Sequence, residues 1–136
     1  MKVLVDTSIW SLALRRRGVL SEDEKVLVSV LIDLIDDARV VMIGPIRQEL
    51  LSGVSSMSQF NELTEHLQSF EDLPLYREYY ERAADFFNIC RRSGVQGSHI
   101  DFLICAVAVE ADLQIYTSDR DFILYAKHLP IRLYGT

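Results

Sequence analysis

The sequence is poor in the residues that covalent cross-links, zinc sites and long flexible loops require. Its 136 residues include two cysteines, three prolines and six glycines. Cys90 and Cys105 form no CxxC pair and have no histidine at metal-ligand spacing, so we expect two buried free thiols. No apolar run is long enough to cross a bilayer, and the N-terminal apolar run is too short for a signal peptide. These absences predict a single domain over residues 1–136, located in the cytoplasm with no membrane association.

Basic charge is scarce as well. Lysine and arginine together number 14 against 20 aspartates and glutamates, for a formal net charge of −6. Proteins that coat nucleic acid without sequence preference are usually basic, so this balance disfavours that class. It is compatible with an enzyme whose acids are concentrated at a metal site. Neither GxGxxG nor GxxxxGK[ST] occurs, which excludes the dinucleotide-binding and P-loop interpretations.

Short apolar runs alternate with helical periodicities along the chain. The runs typical of buried strands in a parallel sheet lie at residues 2–5, 39–43, 114–117 and 131–135, with a very short strand expected within 71–75. Ser21 and Glu24 form a capping-box pattern at the start of one helix. Pro45 fits the first turn of the helix after the second strand, and Gly53 fits the position just past its end. This alternation predicts a three-layer α/β/α sandwich around a central parallel sheet.

Four helices carry predicted core faces. Their inward residues, read from helical spacing, are Val26, Leu27, Val30, Leu31, Leu34 and Ile35; Phe60, Leu63, Leu67 and Phe70; Tyr76, Tyr80, Ala83, Phe87 and Cys90; and almost the whole of residues 102–109. The last of these helices is apolar nearly all round, which indicates that it is buried on every side.

Four acidic residues fall at equivalent places in this pattern. Asp6 follows the first strand, Glu49 lies in the helix after the second, and Asp119 follows the strand "QIYT". The helix that contains Asp101 leads into a strand, so it runs antiparallel to the sheet and begins at the same edge. Because ligand sites of open α/β sheets lie at the carboxyl ends of the strands, we expect these carboxylates to converge on one rim.

Each acid also has an ordinary structural interpretation. Asp6 alternatively caps the helix that follows it, and Glu49 is alternatively a solvated helix residue. The pattern "SHID" makes Asp101 part of a capping box, and Asp119 or Asp121 alternatively caps a short helix beginning near Phe122. Joint placement on one rim favours a site, since independent caps need not face each other.

Convergent carboxylates repel one another unless a cation neutralises them. Ligation by oxygen alone suits a hard divalent ion such as Mg²⁺ or Mn²⁺ rather than zinc. Such an ion pairs naturally with substrate phosphate and activates water. The acids therefore point to hydrolysis of a phosphodiester.

Four motifs carry a family resemblance: "VLVDTSIW", "PIRQELLSG", "IDFLICAVA" and "YTSDRDF". In this order and spacing the chain resembles the PIN-domain ribonucleases, and within them the VapC-type toxins of bacterial and archaeal toxin–antitoxin pairs. The resemblance covers essentially the whole chain. It implies a PIN-like fold and a Mg²⁺- or Mn²⁺-dependent endoribonuclease that acts as the toxin of a VapBC-type pair.

The resemblance also implies roles for individual residues. Asp6 and Asp101 would be the principal metal ligands, Asp119 would complete the metal site, and Glu49 would orient water; these four form the expected catalytic set. Thr7 and Ser8, or Ser118, would supply hydroxyl groups that hold these carboxylates or a phosphate oxygen. Asp121 matches an acid whose role varies in the family, so we expect at most a supporting role for it. His99 stands close to the expected site, where we predict a surface or supporting residue.

RNA would be the substrate and a cognate antitoxin the protein partner. Arg47 and Arg120 are candidates to bind phosphates. The run Arg15–Arg17 is a further candidate, or alternatively a favourable cationic end to a helix. The resemblance implies a homodimer surface and a groove for the antitoxin's C-terminal helix.

Two other functions remain open from sequence. A phosphatase with Asp6 as nucleophile is one, although haloacid-dehalogenase-like enzymes have a second aspartate two residues later, where this chain has Ser8. A PIN-like module that binds RNA or protein without catalysis is the other. A metal titration separates these classes, because a binding module need not hold Mg²⁺ or Mn²⁺.

Overall fold

The computed structural model describes residues 1–14 and 18–135. Three strands and seven helices are found there, in the order β1 (Val3–Val5), α1 (Thr7–Ala13), α2 (Glu22–Asp36), β2 (Val40–Val41), α3 (Gly44–Leu51), α4 (Met57–Leu67), α5 (Arg77–Arg92), α6 (His99–Glu110), β3 (Gln114–Tyr116) and α7 (Asp121–Ala126). None of these helices is both long and apolar enough to cross a membrane.

The sheet is parallel throughout, with the order β2-β1-β3. Val3, Leu4 and Val5 of the central strand are all 0% exposed. Because successive side chains of a strand point to opposite faces, helices must cover both faces of the sheet. The predicted α/β fold around a central parallel sheet is therefore confirmed.

The sheet is smaller than the sequence predicts. Residues 131–135 contribute a single parallel bridge from Leu133 to Ile115, and the chain turns at once through Gly135, whose φ is +82°. The very short strand expected within 71–75 is likewise one parallel bridge, from Asp72 to Met42. Pairing on that side ends early because α3 begins at Gly44.

Several local predictions are confirmed. Ser21 accepts a hydrogen bond from the Glu24 backbone N–H, and the Glu24 side chain accepts one from the Ser21 N–H, which completes the capping box. Cys90 and Cys105 are buried free thiols, and burial raises the pKa of both. Residues 102–108 of α6 are all buried.

Four predictions of inward-facing residues are wrong, and Phe60 of α4, which is 39% exposed, is one of them. Val26 is 61% exposed because it lies at the edge of the apolar stripe of α2, whose buried residues are Leu31 and Leu34. Tyr76 and Tyr80 are also exposed. Tyr76 precedes α5 as its N-cap residue, and Tyr80 lines an open cavity between α5 and α6 together with Leu103, which leaves its ring exposed.

Phe70 is partly buried and packs against the core, but it does not belong to α4, which ends three residues earlier. Its ring packs edge-on against Trp10 of α1, with 5.1 Å between ring centroids. The apolar pattern therefore identified an inward-facing residue correctly and assigned it to the wrong element.

Candidate metal centre

Asp6 lies at the end of the central strand and is the one charged residue that is buried among those described, with 6% of its surface exposed. Its Oδ2 accepts hydrogen bonds from Ser8 Oγ at 2.8 Å and from Thr117 Oγ1 at 2.7 Å. Asp6 occupies the N-cap position of α1 but makes no side-chain cap. The buried carboxylate is thus held by hydroxyl groups, and the helix-cap interpretation does not account for it.

The loop after β3 is built around the same hydroxyl groups. Thr117 Oγ1 also accepts from the Asp119 N–H at 2.9 Å, and Ser8 Oγ accepts from the Ser118 N–H at 3.0 Å. The carboxylate of Asp119 then accepts from the Asp121 N–H at 2.9 Å. The backbone of this loop is therefore tied to the end of β1, which aligns Asp119 with the rim.

Thr117 is the residue of this network that sequence reasoning missed. Its signal is its place directly after β3, the same position that Asp6 has after β1. The predicted supporting Ser8 does contact Asp6, whereas Ser118 contributes its backbone N–H to the network.

Asp101 lies in the first turn of α6. Its N–H donates to the hydroxyl of Ser98, the N-cap residue, at 3.1 Å. Its Oδ2 accepts from the hydroxyl of Tyr125 at 2.7 Å. Burial raises the pKa of the Asp101 carboxyl, and repulsion from Asp119 and Asp6 adds to the rise, while the hydrogen bonds from Tyr125 and Ser98 act in the opposite direction. The carboxylate is thus a charge that the fold itself disfavours.

Three carboxylates converge at this rim. Asp101, Asp119 and Asp121 each place one carboxylate oxygen within 4.8 Å of the others. We call these three residues the acidic trio. Asp121, which sequence reasoning ranked below the other acids, is a member, whereas Asp6 lies outside the trio and acts on Asp101 through its charge. An all-oxygen donor set of this kind fits a hard divalent cation such as Mg²⁺ or Mn²⁺.

Glu49 stands apart from the trio. It is exposed on α3, and its Oε2 accepts a hydrogen bond from Thr7 Oγ1 at 3.1 Å. Thr7 directly follows Asp6, so this contact brings the Glu49 carboxylate to the same end of the sheet. The structure therefore brings the four predicted acids to one rim, where Asp6 is buried, Asp101 and Asp119 are partly buried, and Glu49 is exposed.

Arg47 has a structural position. Its Nε donates to Asp72 at 3.0 Å, its Nη1 donates to the Leu67 carbonyl at 2.9 Å, and its Nη2 donates to the Phe70 carbonyl. These contacts hold the end of α4 and the following segment against α3. They use all three guanidinium nitrogens, which is unfavourable for the predicted phosphate-binding role.

Arg120 is exposed between Asp119 and Asp121, at the N-cap position of α7. It makes no ion pair with any other residue of the described ranges, so its charge is available to a ligand at the rim. Arg15–Arg17 lie outside the described residues. His99 is exposed and its ring stacks on Phe87, with centroids 5.2 Å apart, as a surface residue would.

Comparisons with known proteins give one family and several solved structures of similar fold. The family profile described as PIN domain matches residues 3–128. FitAcB from Neisseria gonorrhoeae superposes with a TM-score of 0.76 at 21% identity, over 98% of this chain and 96% of that one. VapBC2 from Rickettsia felis, solved bound to a DNA fragment from its promoter, also has a TM-score of 0.76, at 15% identity, over 98% of this chain and 97% of that one. PAE2754 from Pyrobaculum aerophilum has a TM-score of 0.57 at 16% identity, over 95% of this chain and 89% of that one. No curated protein sequence matches significantly.

Proposed function

The chain belongs to the PIN-domain family, and on that basis we propose that it is a metal-dependent endoribonuclease that hydrolyses RNA phosphodiester bonds. The observation that carries this proposal is the acidic trio at the carboxyl edge of the sheet, a partly buried all-oxygen site. We further propose that the protein is the toxin of a VapBC-type pair and that it works in the cytoplasm, where RNA is found.

The residues of the rim would divide the work between them. Asp101, Asp119 and Asp121 would hold Mg²⁺ or Mn²⁺, and Asp6, fixed by Ser8 and Thr117, would complete its surroundings. When bound, the cation would neutralise the carboxylates and stabilise the negative charge that develops on the scissile phosphate. This set differs from the sequence prediction by the addition of Asp121.

Two further residues suit roles toward the substrate. Glu49, exposed and held by Thr7, would orient the attacking water from the edge of the rim. Arg120 would contact a phosphate oxygen, because the residue is exposed and lies in the chain between Asp119 and Asp121. A bound cation and this arginine would offset the acidic net charge at the point where RNA binds.

Cleavage of structured RNAs in the presence of Mn²⁺ or Mg²⁺ tests the proposal. Wild type should cleave, a chelator should stop cleavage, and Asp6→Asn and Asp101→Asn should lose it. Asp33→Asn is the matched control, because it removes an exposed aspartate near the end of α2, which leads into the start of β2 and so lies toward the opposite edge of the sheet. Equal activity of wild type and Asp101→Asn would contradict the proposal, whatever the metal dependence.

A non-catalytic outcome has its own signature. If wild type binds Mn²⁺ but cleaves none of the RNAs, the RNA set is broadened before catalysis is rejected. If wild type binds neither Mn²⁺ nor Mg²⁺, the trio is structural and a binding module is the better description. Hydrolysis of a phosphate monoester by wild type but not by Asp6→Asn would instead support the phosphatase alternative.

The proposed partners are a cognate antitoxin and a second copy of the chain. Exposed apolar surface supports them: Tyr76 and Tyr80 at the start of α5, and Met57 and Phe60 on α4, are each more than a third exposed. Large apolar side chains of this kind often mark protein interfaces. Light scattering after gel filtration tests the dimer, and co-purification with the protein encoded next to it tests the antitoxin.

A further inference from the structure

Tyr125 makes a contact that the proposed chemistry does not yet use. The residue is completely buried, and its hydroxyl donates to Asp101 Oδ2 at 2.7 Å. A buried tyrosine hydroxyl needs a hydrogen-bond partner, and a backbone carbonyl usually serves. Here the partner is a carboxylate of the acidic trio, so the tyrosine reaches from the core to the rim.

The position of this hydroxyl is set by packing on several sides. The Tyr125 ring lies 4.9 Å from the ring of Phe102 and 5.2 Å from that of Phe122, centroid to centroid. Gly97 closes the remaining side: a Cβ there would lie 2.8 Å from Tyr125 Cζ and 2.9 Å from a ring carbon of Phe102, and closer still to the hydroxyl oxygen. The absence of a side chain at Gly97 is therefore what admits the hydroxyl.

Tyr125 also joins the two elements that carry the trio. It lies on α7, four residues after Asp121, so both side chains are on the same face of that helix. Asp101 is on α6 and Asp119 is tied to the start of α7. The hydrogen bond from Tyr125 thus fixes the α6 carboxylate relative to the other two. Asp6 is held in the same manner, by hydroxyl donors on one oxygen.

We propose that Tyr125 is a positioning residue that holds the Asp101 carboxylate in the orientation in which it binds a divalent cation together with Asp119 and Asp121. This inference rests on the proposed function, because it needs the trio to hold a metal. Gly97 is part of the same device, since it makes room for the hydroxyl. Partners that orient metal ligands in this way contribute substantially to metal affinity.

Tyr116 provides a matched control. It is also a buried tyrosine, 4% exposed, and its hydroxyl donates at 2.7 Å as well, but to the carbonyl of Leu27 on α2. Tyr125→Phe and Tyr116→Phe each remove one oxygen atom and one buried hydrogen bond of equal length. Both variants should lose thermal stability, Tyr125→Phe somewhat more because its acceptor is a carboxylate, and only Tyr125→Phe should change metal binding at the rim.

The test is a calorimetric titration of the metal-free full chain with Mn²⁺, for wild type and both variants. We expect Tyr125→Phe to raise the Mn²⁺ dissociation constant about tenfold, as loss of such a partner commonly does, and Tyr116→Phe to leave it unchanged. In an Asp101→Ala background, adding Tyr125→Phe should weaken Mn²⁺ binding no further, because the tyrosine acts through that carboxylate.

Three results would overturn the inference, and they differ from one another. Wild-type affinity in a folded Tyr125→Phe variant would make the tyrosine a packing residue only. A further loss in the Asp101→Ala background would show that it acts on the rim in general rather than on Asp101. Failure of wild type itself to bind Mn²⁺ would remove the metal site, and with it the proposed function.

Discussion

Replacing Asp101 by asparagine should stabilise the metal-free protein and destabilise the metal-bound one relative to wild type. Without metal, burial and the charges of Asp119 and Asp6 disfavour the Asp101 carboxylate, which is why its pKa is raised. Asparagine has nearly the same shape, carries no charge, and can still accept the hydrogen bond from Tyr125. The gain expected for replacing a residue kept for function rather than stability is about 1 kcal/mol.

The size of this effect depends on pH in a defined way. The folded pKa of Asp101 lies above its ordinary value of 3.8, so folded wild type retains a proton that the unfolded chain has already lost. Wild-type stability from this residue therefore falls as the pH rises through that window. The advantage of Asp101→Asn should be larger at pH 7 than near pH 4, and it should disappear below about pH 4.

Bound metal should reverse the order. A ligand at 100 times its dissociation constant stabilises the folded state by about 2.7 kcal/mol. At about 3 °C per kcal/mol for a domain of this size, wild type should gain about 8 °C in Tm, whereas the variant should exceed metal-free wild type by about 3 °C and respond little to metal.

Calorimetric melting measures the Tm of wild type and Asp101→Asn in chelator and in Mn²⁺, at pH 7 and again near pH 4. Asp33→Asn is the control for loss of an exposed aspartate. The reasoning is refuted if Asp101→Asn is the less stable protein in chelator at pH 7. It is equally refuted if Mn²⁺ raises the Tm of wild type and Asp101→Asn alike.

Three further predictions address other residues of the chain. Asp121→Asn should weaken Mn²⁺ binding by about a hundredfold or more, because it removes a ligand and the loss of a ligand's partner alone costs about 10–100-fold; an unchanged dissociation constant in the same titration would remove Asp121 from the site. Arg47→Ala should lower the free energy of unfolding in urea by about 2–3 kcal/mol, because Asp72 and two carbonyls lose their hydrogen-bond donor, whereas RNA cleavage per folded molecule should stay the same. A large loss of cleavage in a stably folded variant would instead support the phosphate-binding role. Burial raises the pKa of Tyr116 to about 12, so its contribution to stability is present below pH 10 and lost as the pH rises from about 10 to 12; urea unfolding across that range should show the loss in wild type and a smaller one in Tyr116→Phe.

Local chemistry explains why much of the fold could be predicted. The capping box of Ser21 and Glu24 involves residues three apart, and the helix that follows is where the pattern placed it. The apolar character of α6 on all sides indicated a buried helix, and residues 102–108 are buried. Each of these signals depends on neighbours along the chain, so no knowledge of packing was needed.

Packing between elements explains the errors. Helical spacing gives the apolar face of α5 but not whether a neighbouring element covers it, so the pattern places Tyr76 and Tyr80 in the core although both are exposed, Tyr80 beside the open cavity between α5 and α6. The same limit applies to the strand predicted at 131–135, because the number of bridges depends on where the neighbouring strand ends.

The fold class follows from the pattern of residues along the chain, and so does the placement of Asp6, Glu49, Asp101 and Asp119 at one edge, because the carboxyl ends of parallel strands must lie together. The details of the rim depend on how the elements pack. The tertiary structure added Asp121 to the trio, engaged Arg47 elsewhere, and revealed Thr117 and Tyr125 as hydrogen-bond donors to Asp6 and Asp101. Those contacts join residues 111 and 24 positions apart, and no local pattern encodes a distance between side chains that meet only when the chain is packed.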